Sequence, residues 1–219
     1  PRTMLGYSED RSKMVWGLID GRSSESSGST YPQGASIMRY AGCFDAVNVD
    51  GGGSSGMYIQ NLGIVNTPSD GKERAVSNGI YAVLEAPEDN EIAEIRFVDW
   101  AMNFPQYGIY TPKFYGYNQY GMLIDTDVQG VTLSCDPKIG EVINGGTTFY
   151  GTGDGIGALK AQYNGLTADI PVTVAPSDNV AFRLEKVLLD NKREYTVEVN
   201  ALVNETEMPM NSSALAWSS

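Results

Sequence analysis

A run of glycines and serines directly follows an apolar stretch that ends in a carboxylate. Asp50 closes the stretch at residues 44–49, and the next five residues are Gly51, Gly52, Gly53, Ser54 and Ser55. Three glycines let the backbone turn sharply, and the N–H groups that such turns free can surround an oxyanion. The two serine hydroxyls can donate to the same anion. The loop therefore predicts an anion site beside a carboxylate, with a tight structural turn as the alternative.

Arginines lie close to turns in the same part of the chain. Arg2, Arg22 and Arg74 each border a predicted strand, and a guanidinium can bind phosphate through two parallel hydrogen bonds. Each arginine taken singly is more often a solvated or salt-bridged surface residue. Together with the glycine loop, the three favour a phosphate site. No lysine and no helical pattern follows the glycines, so the loop is neither a P-loop nor a dinucleotide fingerprint.

Acid and base chemistry in this chain falls to carboxylates. The sequence contains no His, which excludes a Ser/His/Asp triad, an imidazole base and a His-built zinc site. Asp20 and Asp50 both end apolar β runs, and a pair of carboxylates is the usual equipment of a glycosidase. An ordinary turn aspartate is the alternative for Asp20. A divalent cation such as calcium could sit among Asp20, Asp50 and Asp70, with plain surface aspartates as the alternative.

Short strands and one helix have to position these groups. A helix is predicted from Pro32 to Gly42, after a Ser-rich loop at residues 23–30 that is expected to be mobile. An acidic linker at residues 85–91 closes this part of the chain. Strands are predicted at residues 3–7, 13–20, 44–49, 57–60 and 76–84.

The rest of the chain predicts only strands. Short apolar runs are separated by turn signals such as Asn164-Gly165, at the spacing of an all-β sandwich. The last two strands are predicted at residues 181–189 and 195–203. The predicted fold class is α+β: a partial mixed α/β catalytic domain of strands with one main helix, followed by an all-β immunoglobulin-like sandwich. The predicted domains are residues 1–86, 92–175 and 179–219, the last being an incomplete second immunoglobulin-like module.

Charge and cysteine usage narrow the partners. The net charge is −12, and nearly all of it lies beyond residue 86. An acidic surface repels phosphate backbones and anionic lipid, which argues against nucleic acid as a partner. No apolar run reaches the roughly 18 residues of a membrane span. Cys43 and Cys135 fall in different predicted domains and are expected to be buried free thiols, with a disulfide between them as the alternative.

Several of these motifs, in this order, resemble the phosphodiester glycosidase family, which includes N-acetylglucosamine-1-phosphodiester α-N-acetylglucosaminidase, the uncovering enzyme. The resemblance covers about residues 1–86. Ala75 stands where the family commonly has proline, which could alter how Arg74 is presented. Residues 113–174 are similar to bacterial immunoglobulin-like modules. The family resemblance rests on Pro1-Arg2-Thr3, Ile19-Asp20-Gly21-Arg22, the run from Asp45 to Ser55, and the run from Arg74 to Asn78.

The resemblance implies hydrolysis of a sugar-1-phosphodiester in an extracytoplasmic glycan by a bacterial protein that is secreted, periplasmic or on the cell surface. Asp50 and then Asp20 are the expected catalytic residues, and no cofactor is required. The N-terminal half of the catalytic domain is expected upstream of Pro1. The alternative is an inactive surface protein that binds glycan or attaches through immunoglobulin-like modules. The expected substrate- or phosphate-binding residues are Arg2, Thr3, Arg22, Gly51, Gly52, Gly53, Ser54, Ser55, Arg74 and Asn78.

Overall fold

The computed structural model describes residues 1–99, 102–183, 194–204 and 206–217. The chain divides into two units, Pro1–Glu85 and Ala86–Ser219. Three strands and one helix form the centre of the first unit, and the described residues of the second unit form strands and short 3₁₀ turns. Cys43 and Cys135 are both free thiols, as expected, but each is only partly buried, so the expected burial is wrong. No helix in the described part of the chain is long and apolar enough to cross a membrane.

The centre of the first unit is a three-stranded antiparallel sheet. Its strands are β1 (Arg2–Tyr7), β2 (Met14–Ile19) and β3 (Asp45–Asn48), in the order β2-β1-β3. Arg2 pairs with Ile19, and Met4 pairs with Asn48. The start of β1 therefore lies beside the ends of both its neighbours. The residues that follow β2 and β3 leave the sheet at the same end, next to Arg2.

Helix α1 (Tyr31–Tyr40) packs on this sheet. Thr30 caps its N-terminus: the hydroxyl accepts from the Gln33 amide, and the Gln33 side chain accepts from the Thr30 amide at 2.8 Å. Met38 is buried against the sheet, where a Cβ at Gly17 would lie only 2.8 Å from its sulfur. Glycine at that strand position therefore lets the helix approach closely. The helix predicted between Pro32 and Gly42 is confirmed.

The remainder of the first unit has little regular structure. Strands β4 (Tyr58–Ile59) and β5 (Gly63–Ile64) form a short antiparallel hairpin. The strand predicted at residues 76–84 is wrong, because this segment has no strand structure and its large apolar side chains are more than half exposed. A strand requires a neighbour that pairs with its backbone, and none of the strands in the described residues pairs with this segment.

The described residues of the second unit form thirteen short strands. The strands are β6 (Glu94–Phe97), β7 (Met102–Pro105), β8 (Ile109–Tyr110), β9 (Phe114–Tyr117), β10 (Leu123–Asp125), β11 (Thr132–Cys135), β12 (Glu141–Ile143), β13 (Thr148–Tyr150), β14 (Gly155–Tyr163), β15 (Leu166–Ala175), β16 (Asn179–Phe182), β17 (Val199–Val203) and β18 (Thr206–Pro209). They form the sheets β10-β9-β6, β11-β14-β15-β7, β12-β13-β8 and β16-β17-β18. Only the β15–β7 pair among them is parallel. Most of the strand predicted at residues 181–189 lies outside the described residues.

Aromatic side chains hold the core of the second unit. Phe97 and Phe114 lie with ring centroids 4.7 Å apart, and Phe104 meets Phe149 edge-on at 5.0 Å. All four rings are buried in one apolar cluster. Met208 of β18 packs partly against the same cluster. The C-terminal strands are thus joined to the core of this unit.

The predicted α+β fold class, with a mixed α/β catalytic domain and an immunoglobulin-like sandwich, is wrong. The structure is mostly β, with 40% strand and 9% helix. The sheet of the first unit is antiparallel throughout, so it lacks the parallel strand–helix–strand crossover that defines an α/β arrangement. In the second unit, hydrogen bonding divides the described strands among several small sheets, whereas an immunoglobulin-like sandwich has two.

The aromatic core makes the second unit sensitive to truncation at Phe149. Phe149→Ala removes a fully buried ring and is expected to lower the free energy of unfolding by about 3–5 kcal/mol. Ile156→Thr is the control, because Ile156 is 67% exposed and threonine keeps its β-branched shape, so the change should stay within about 0.5 kcal/mol. Chemical denaturation followed by tryptophan fluorescence measures both. Equal losses in the two variants would contradict the assigned core.

Candidate functional site

A groove opens at the end of the three-stranded sheet where β1 begins and where β2 and β3 end. Its volume is about 510 Å³. We call it the polar groove. Besides backbone of the segments that leave the sheet, its lining includes Arg2, Arg22, Arg74, Asp50, Gly51, Gly52, Gly53, Ser29, Tyr31 and Asn48.

The glycine loop forms one wall of the polar groove. Residues Gly52–Ser54 make a single 3₁₀ turn, in which the Ser54 amide donates to the Gly51 carbonyl at 3.3 Å and the Ser55 amide donates to the Gly52 carbonyl at 3.1 Å. The Gly51 amide donates to the Asp50 carboxylate at 2.9 Å. Among the described residues, the amides of Gly52 and Gly53 have no protein acceptor. Three of the five amides in the expected anion site are therefore already used within the chain, and Gly53 is itself buried.

Close approach by arginine side chains explains why this loop is built from glycine. Gly52 has a φ of +65°, in the left-handed region, and a Cβ there would lie 3.3 Å from an Arg22 guanidinium nitrogen. A Cβ at Gly53 would overlap both the Arg74 guanidinium and the Asp70 carboxylate. Side chains at these positions would push the cations away. Glycine therefore keeps positive charge against the backbone of the loop.

The three arginines are held in different ways. Arg2 donates from Nε to the Ser29 carbonyl at 3.0 Å and stacks over the Tyr31 ring at 4.0 Å. Arg74 pairs with Asp70, with both Nε and Nη2 donating to one carboxylate oxygen. Arg22 has a φ of +61° and forms no ion pair within the described residues. Arg2 and Arg22 thus keep positive charge that no carboxylate of the described chain neutralises.

Asp50 is the one carboxylate that lines the polar groove within the described residues. Its pKa is lowered from the ordinary value of 3.8, first by the Ser54 hydroxyl, then by the Gly51 amide, and further by the positive charge of Arg74. The side chain is exposed. Asp50 is therefore ionised at neutral pH, which suits a base, a nucleophile or an electrostatic partner of a cation and does not suit a proton donor.

Asp20 has a different environment from Asp50. Its two carboxylate oxygens accept from the Thr67 amide at 3.2 and 3.0 Å, and one also accepts from the Asn66 amide group at 3.2 Å. Asp20 does not line the polar groove. Its hydrogen bonds attach the segment after β5 to the end of β2, so both of its carboxylate oxygens already have donors within the chain.

Four further expected residues do not line the polar groove: Thr3, Ser54, Ser55 and Asn78. Thr3 donates to the Ser55 hydroxyl at 3.0 Å, and Ser55 is buried, so this pair fixes the glycine loop to β1. Asn78 lies in the exposed segment at residues 76–84. Among the described residues, no group of three or more His, Cys, Asp or Glu side chains is placed to hold a metal ion. The cation site considered for Asp20, Asp50 and Asp70 is therefore not assembled.

Sequence reasoning missed the polar residues that join this groove to its surroundings. The Ser29 hydroxyl and the Asn48 Oδ1 atom are buried and have no hydrogen-bond partner among the described residues. Tyr31 supplies the ring beneath Arg2. Asn48 is the last residue of β3, two positions before Asp50, and that position was the available signal. The Ser29 and Tyr31 contacts depend on how the loop before α1 folds back, which no local pattern encodes.

The charge of the polar groove is opposite to that of the chain. Three arginines and one aspartate line it, whereas the whole chain has a net charge of −12. A concave site with fixed cations raises the local concentration of anions. The polar groove therefore combines a positive lining with one ionised carboxylate.

Residues 1–83 match the family model of phosphodiester glycosidases. Every residue that lines the polar groove lies within this range. This part of the chain is thus phosphodiester glycosidase-like in sequence, at the level of the family.

Two individual proteins are also similar to parts of the chain. The SPbeta prophage-derived uncharacterized protein YomE of Bacillus subtilis (strain 168) is 37% identical over 95 residues, covering 41% of this chain and 13% of that protein. This chain therefore spans a small part of that relative's length. Domains 4–9 of the surface layer protein SbsC are 15% identical, with a TM-score of 0.34 over 52% of this chain and 20% of that one. A match of that quality does not establish a shared fold.

The packing at Gly53 can be tested by adding one methyl group. Gly53→Ala is expected to displace the Arg74–Asp70 pair, because the new Cβ would overlap both side chains, and overpacking of this kind costs about 1–3 kcal/mol. Gly56→Ala is the matched control, since a Cβ there meets nothing within 4 Å. Thermal unfolding should show a lower Tm for the first variant alone. An unchanged Tm in both variants would contradict the close contact at Gly53.

The lowered pKa of Asp50 depends first on Ser54. Ser54→Ala should raise the Asp50 pKa toward 3.8, because the largest cause of the lowering is removed. When folding lowers the pKa of an Asp, the folded protein favours the ionised form of that side chain. Any function that needs the negative charge is therefore present above the folded-state pKa and is lost as the pH falls through it. Carboxyl carbon NMR during a pH titration measures the change. Ser27→Ala is the control, and a similar shift in that variant would argue against the Ser54 contact.

Proposed function

We propose that the first unit carries a phosphodiester glycosidase site that hydrolyses a sugar-1-phosphodiester. The observation that carries this proposal is that Arg2 and Arg22, both without an anionic partner among the described residues, line one groove with the glycine loop and the ionised Asp50. The family match over residues 1–83 supports the same reaction class. We further propose that the substrate is an extracytoplasmic glycan, as the family resemblance implies.

The phosphate group is proposed to lie against the glycine loop. The amides of Gly52 and Gly53 donate to its oxygens, and the guanidiniums of Arg2 and Arg22 neutralise its charge. Arg74 stays paired with Asp70 and contributes through its position beside Gly53. Arg2 is already held by the Ser29 carbonyl and the Tyr31 ring, and Arg74 by Asp70, before a substrate binds. These donors therefore stabilise the additional negative charge that forms on the phosphate when its bond to the sugar breaks.

The bond that breaks is the one between the anomeric carbon and the bridging phosphate oxygen. The bridging oxygen leaves with the electron pair as part of a phosphomonoester, and the oxygen of a water molecule forms the new bond to the anomeric carbon. One proton of that water is released to the phosphate or to solvent. Phosphate is a good leaving group, so this reaction does not depend on a side chain that protonates it.

Asp50 is the proposed catalytic carboxylate. Because it is ionised and lies beside the cationic wall, it can orient the attacking water or stabilise positive charge at the anomeric carbon. Asp20 is assigned a positioning role, since its carboxylate already accepts from the Thr67 amide and the Asn66 side chain. Thr3 and Ser55 are also assigned a positioning role, because the hydrogen bond between their hydroxyls attaches the glycine loop to β1.

The reaction can be tested with the full chain and a methyl diester of N-acetylglucosamine-1-phosphate. Hydrolysis in ¹⁸O-labelled water should place the label on the sugar and none on the phosphate, because the carbon–oxygen bond breaks. Phosphorus NMR and mass spectrometry of both products measure this. Label on the phosphate would contradict the proposed bond cleavage.

Two pairs of variants assign the roles. Asp50→Asn should lower kcat by about 100-fold or more, whereas Asp127→Asn, an exposed aspartate of the second unit, should not change it. Arg22→Ala should lower kcat/KM by about 100-fold. Arg11→Ala is its matched control, because Arg11 is also exposed and has a left-handed φ of 58°. Binding of the diester without any turnover would favour the second candidate, a glycan-binding protein.

A further inference from the structure

A second groove adjoins the polar groove in the first unit. It lies between α1 and β3 and has a volume of about 260 Å³. Its apolar or weakly polar lining residues include Met4, Ala35, Met38, Cys43, Phe44, Ala46 and Val47. We call it the apolar groove. Met4 and Met38 are buried, while Phe44 and Val47 are 70% and 57% exposed.

The two grooves are continuous. Arg2, Tyr31 and Asn48 line both of them. Arg2 is stacked on Tyr31 at 4.0 Å, so a cation and an aromatic ring lie together where the two grooves meet. A ligand whose anionic group sits by Arg2 can therefore extend into the apolar groove without crossing a wall.

Asn48 lies where the two grooves meet and has a hydrogen-bond acceptor without a donor among the described residues. Its Nδ2 group donates to the Val49 carbonyl at 2.6 Å, which fixes the orientation of the amide. Its Oδ1 atom is buried and has no hydrogen-bond partner among the described residues. A buried acceptor without a donor is unfavourable by itself, so a hydroxyl or N–H group on a ligand at the junction would satisfy it.

The chemistry of the apolar groove suits a flexible hydrocarbon. Thioether side chains such as those of Met4 and Met38 adapt their shape to the ligand they contact. Besides Arg2, the charged lining residues are Arg39 and Asp45, which are of opposite sign. The groove therefore adds no net anion binding of its own. It adds an apolar surface next to a cationic one.

We infer that the apolar groove binds an alkyl or aryl group that is ester-linked to the same phosphate that occupies the polar groove. The substrate class is an amphipathic sugar-1-phosphodiester whose leaving group is the phosphate ester of an apolar alcohol. This inference rests on the proposed function, because it requires the phosphate to lie beside Arg2. A hydroxyl near the phosphate donates to Asn48 Oδ1.

The test compares two phosphate monoesters that differ only in the apolar chain. In isothermal titration calorimetry, hexyl phosphate is expected to bind the full chain at least about tenfold more tightly than methyl phosphate. The reason is that each buried methylene raises the binding constant about fourfold. Hexyl phosphate alone should shift the ¹³C-methyl NMR signals of Met4 and Met38. The concentrations should be kept below the micelle threshold of the ester.

Variants of the apolar groove distinguish binding at this site from nonspecific hydrophobic binding. Val47→Ser should reduce the preference for hexyl phosphate by about fourfold, and Ala35→Phe, which fills the groove, should abolish it. Both variants should bind methyl phosphate as the unchanged chain does. Met14→Ser is the matched control, because Met14 is 69% exposed on β2 and does not line the groove.

Each outcome has a distinct meaning. Equal affinity for the two esters would overturn the inference and leave the phosphate site standing. If neither ester binds, the proposed function and the inference fail together. If Met14→Ser weakens hexyl phosphate binding as much as Val47→Ser does, the apolar contact is unspecific and the inference is wrong. Self-association of the chain that Val47→Ser abolishes would assign the groove to a second copy and would also overturn it.

Discussion

The antiparallel register of β1 with both β2 and β3 is the constraint on which the candidate site depends. Arg2 pairs with Ile19, and Met4 pairs with Asn48, so the chain segments after β2 and β3 emerge beside the first residue of β1. That arrangement brings together groups from residues 2, 22 and 50 that are far apart in sequence. Met38 supports it from the helix, because glycine on the sheet lets its side chain lie close to the strands. The pairing therefore brings Arg2, Arg22 and Asp50 to the same end of the sheet.

Part of this arrangement could be read from the sequence because its signals are local. The glycine loop after an apolar run, the helix with its Thr30 cap and the hairpin of β1 and β2 each depend on neighbouring residues. Asp20 was harder, because its role depends on the Thr67 amide, which lies 47 positions further along the chain. The amides of Ser54 and Ser55 were expected to face a ligand. A single 3₁₀ turn uses them instead, and glycine content alone does not reveal which turn forms.

The fold class could not be predicted for a related reason. Alternating apolar runs indicate strands, yet they do not say which strands pair or how many sheets result. Residues 76–84 have a strand-like pattern but pair with no strand among the described residues, since pairing depends on an edge that the segment itself does not encode. In the second unit, the same ambiguity explains why a two-sheet sandwich was predicted. The described strands instead form several small sheets, and the cluster of Phe97, Phe104, Phe114 and Phe149 forms part of the core.

The electrostatics of the site narrow the chemistry that it can perform. Hydrolysis of an ordinary glycoside needs a proton donor for the leaving oxygen, which requires a carboxyl group with a raised pKa. Asp50, the carboxylate that lines the polar groove within the described residues, has a lowered pKa instead, and the sequence contains no His. A phosphate leaving group removes this requirement, since fixed guanidiniums and amides can stabilise its charge directly. In the proposed reaction, the preference for a phosphodiester over an ordinary glycoside therefore has two causes. The arginines bind the phosphate, and Asp50 cannot donate the proton that an ordinary glycoside requires.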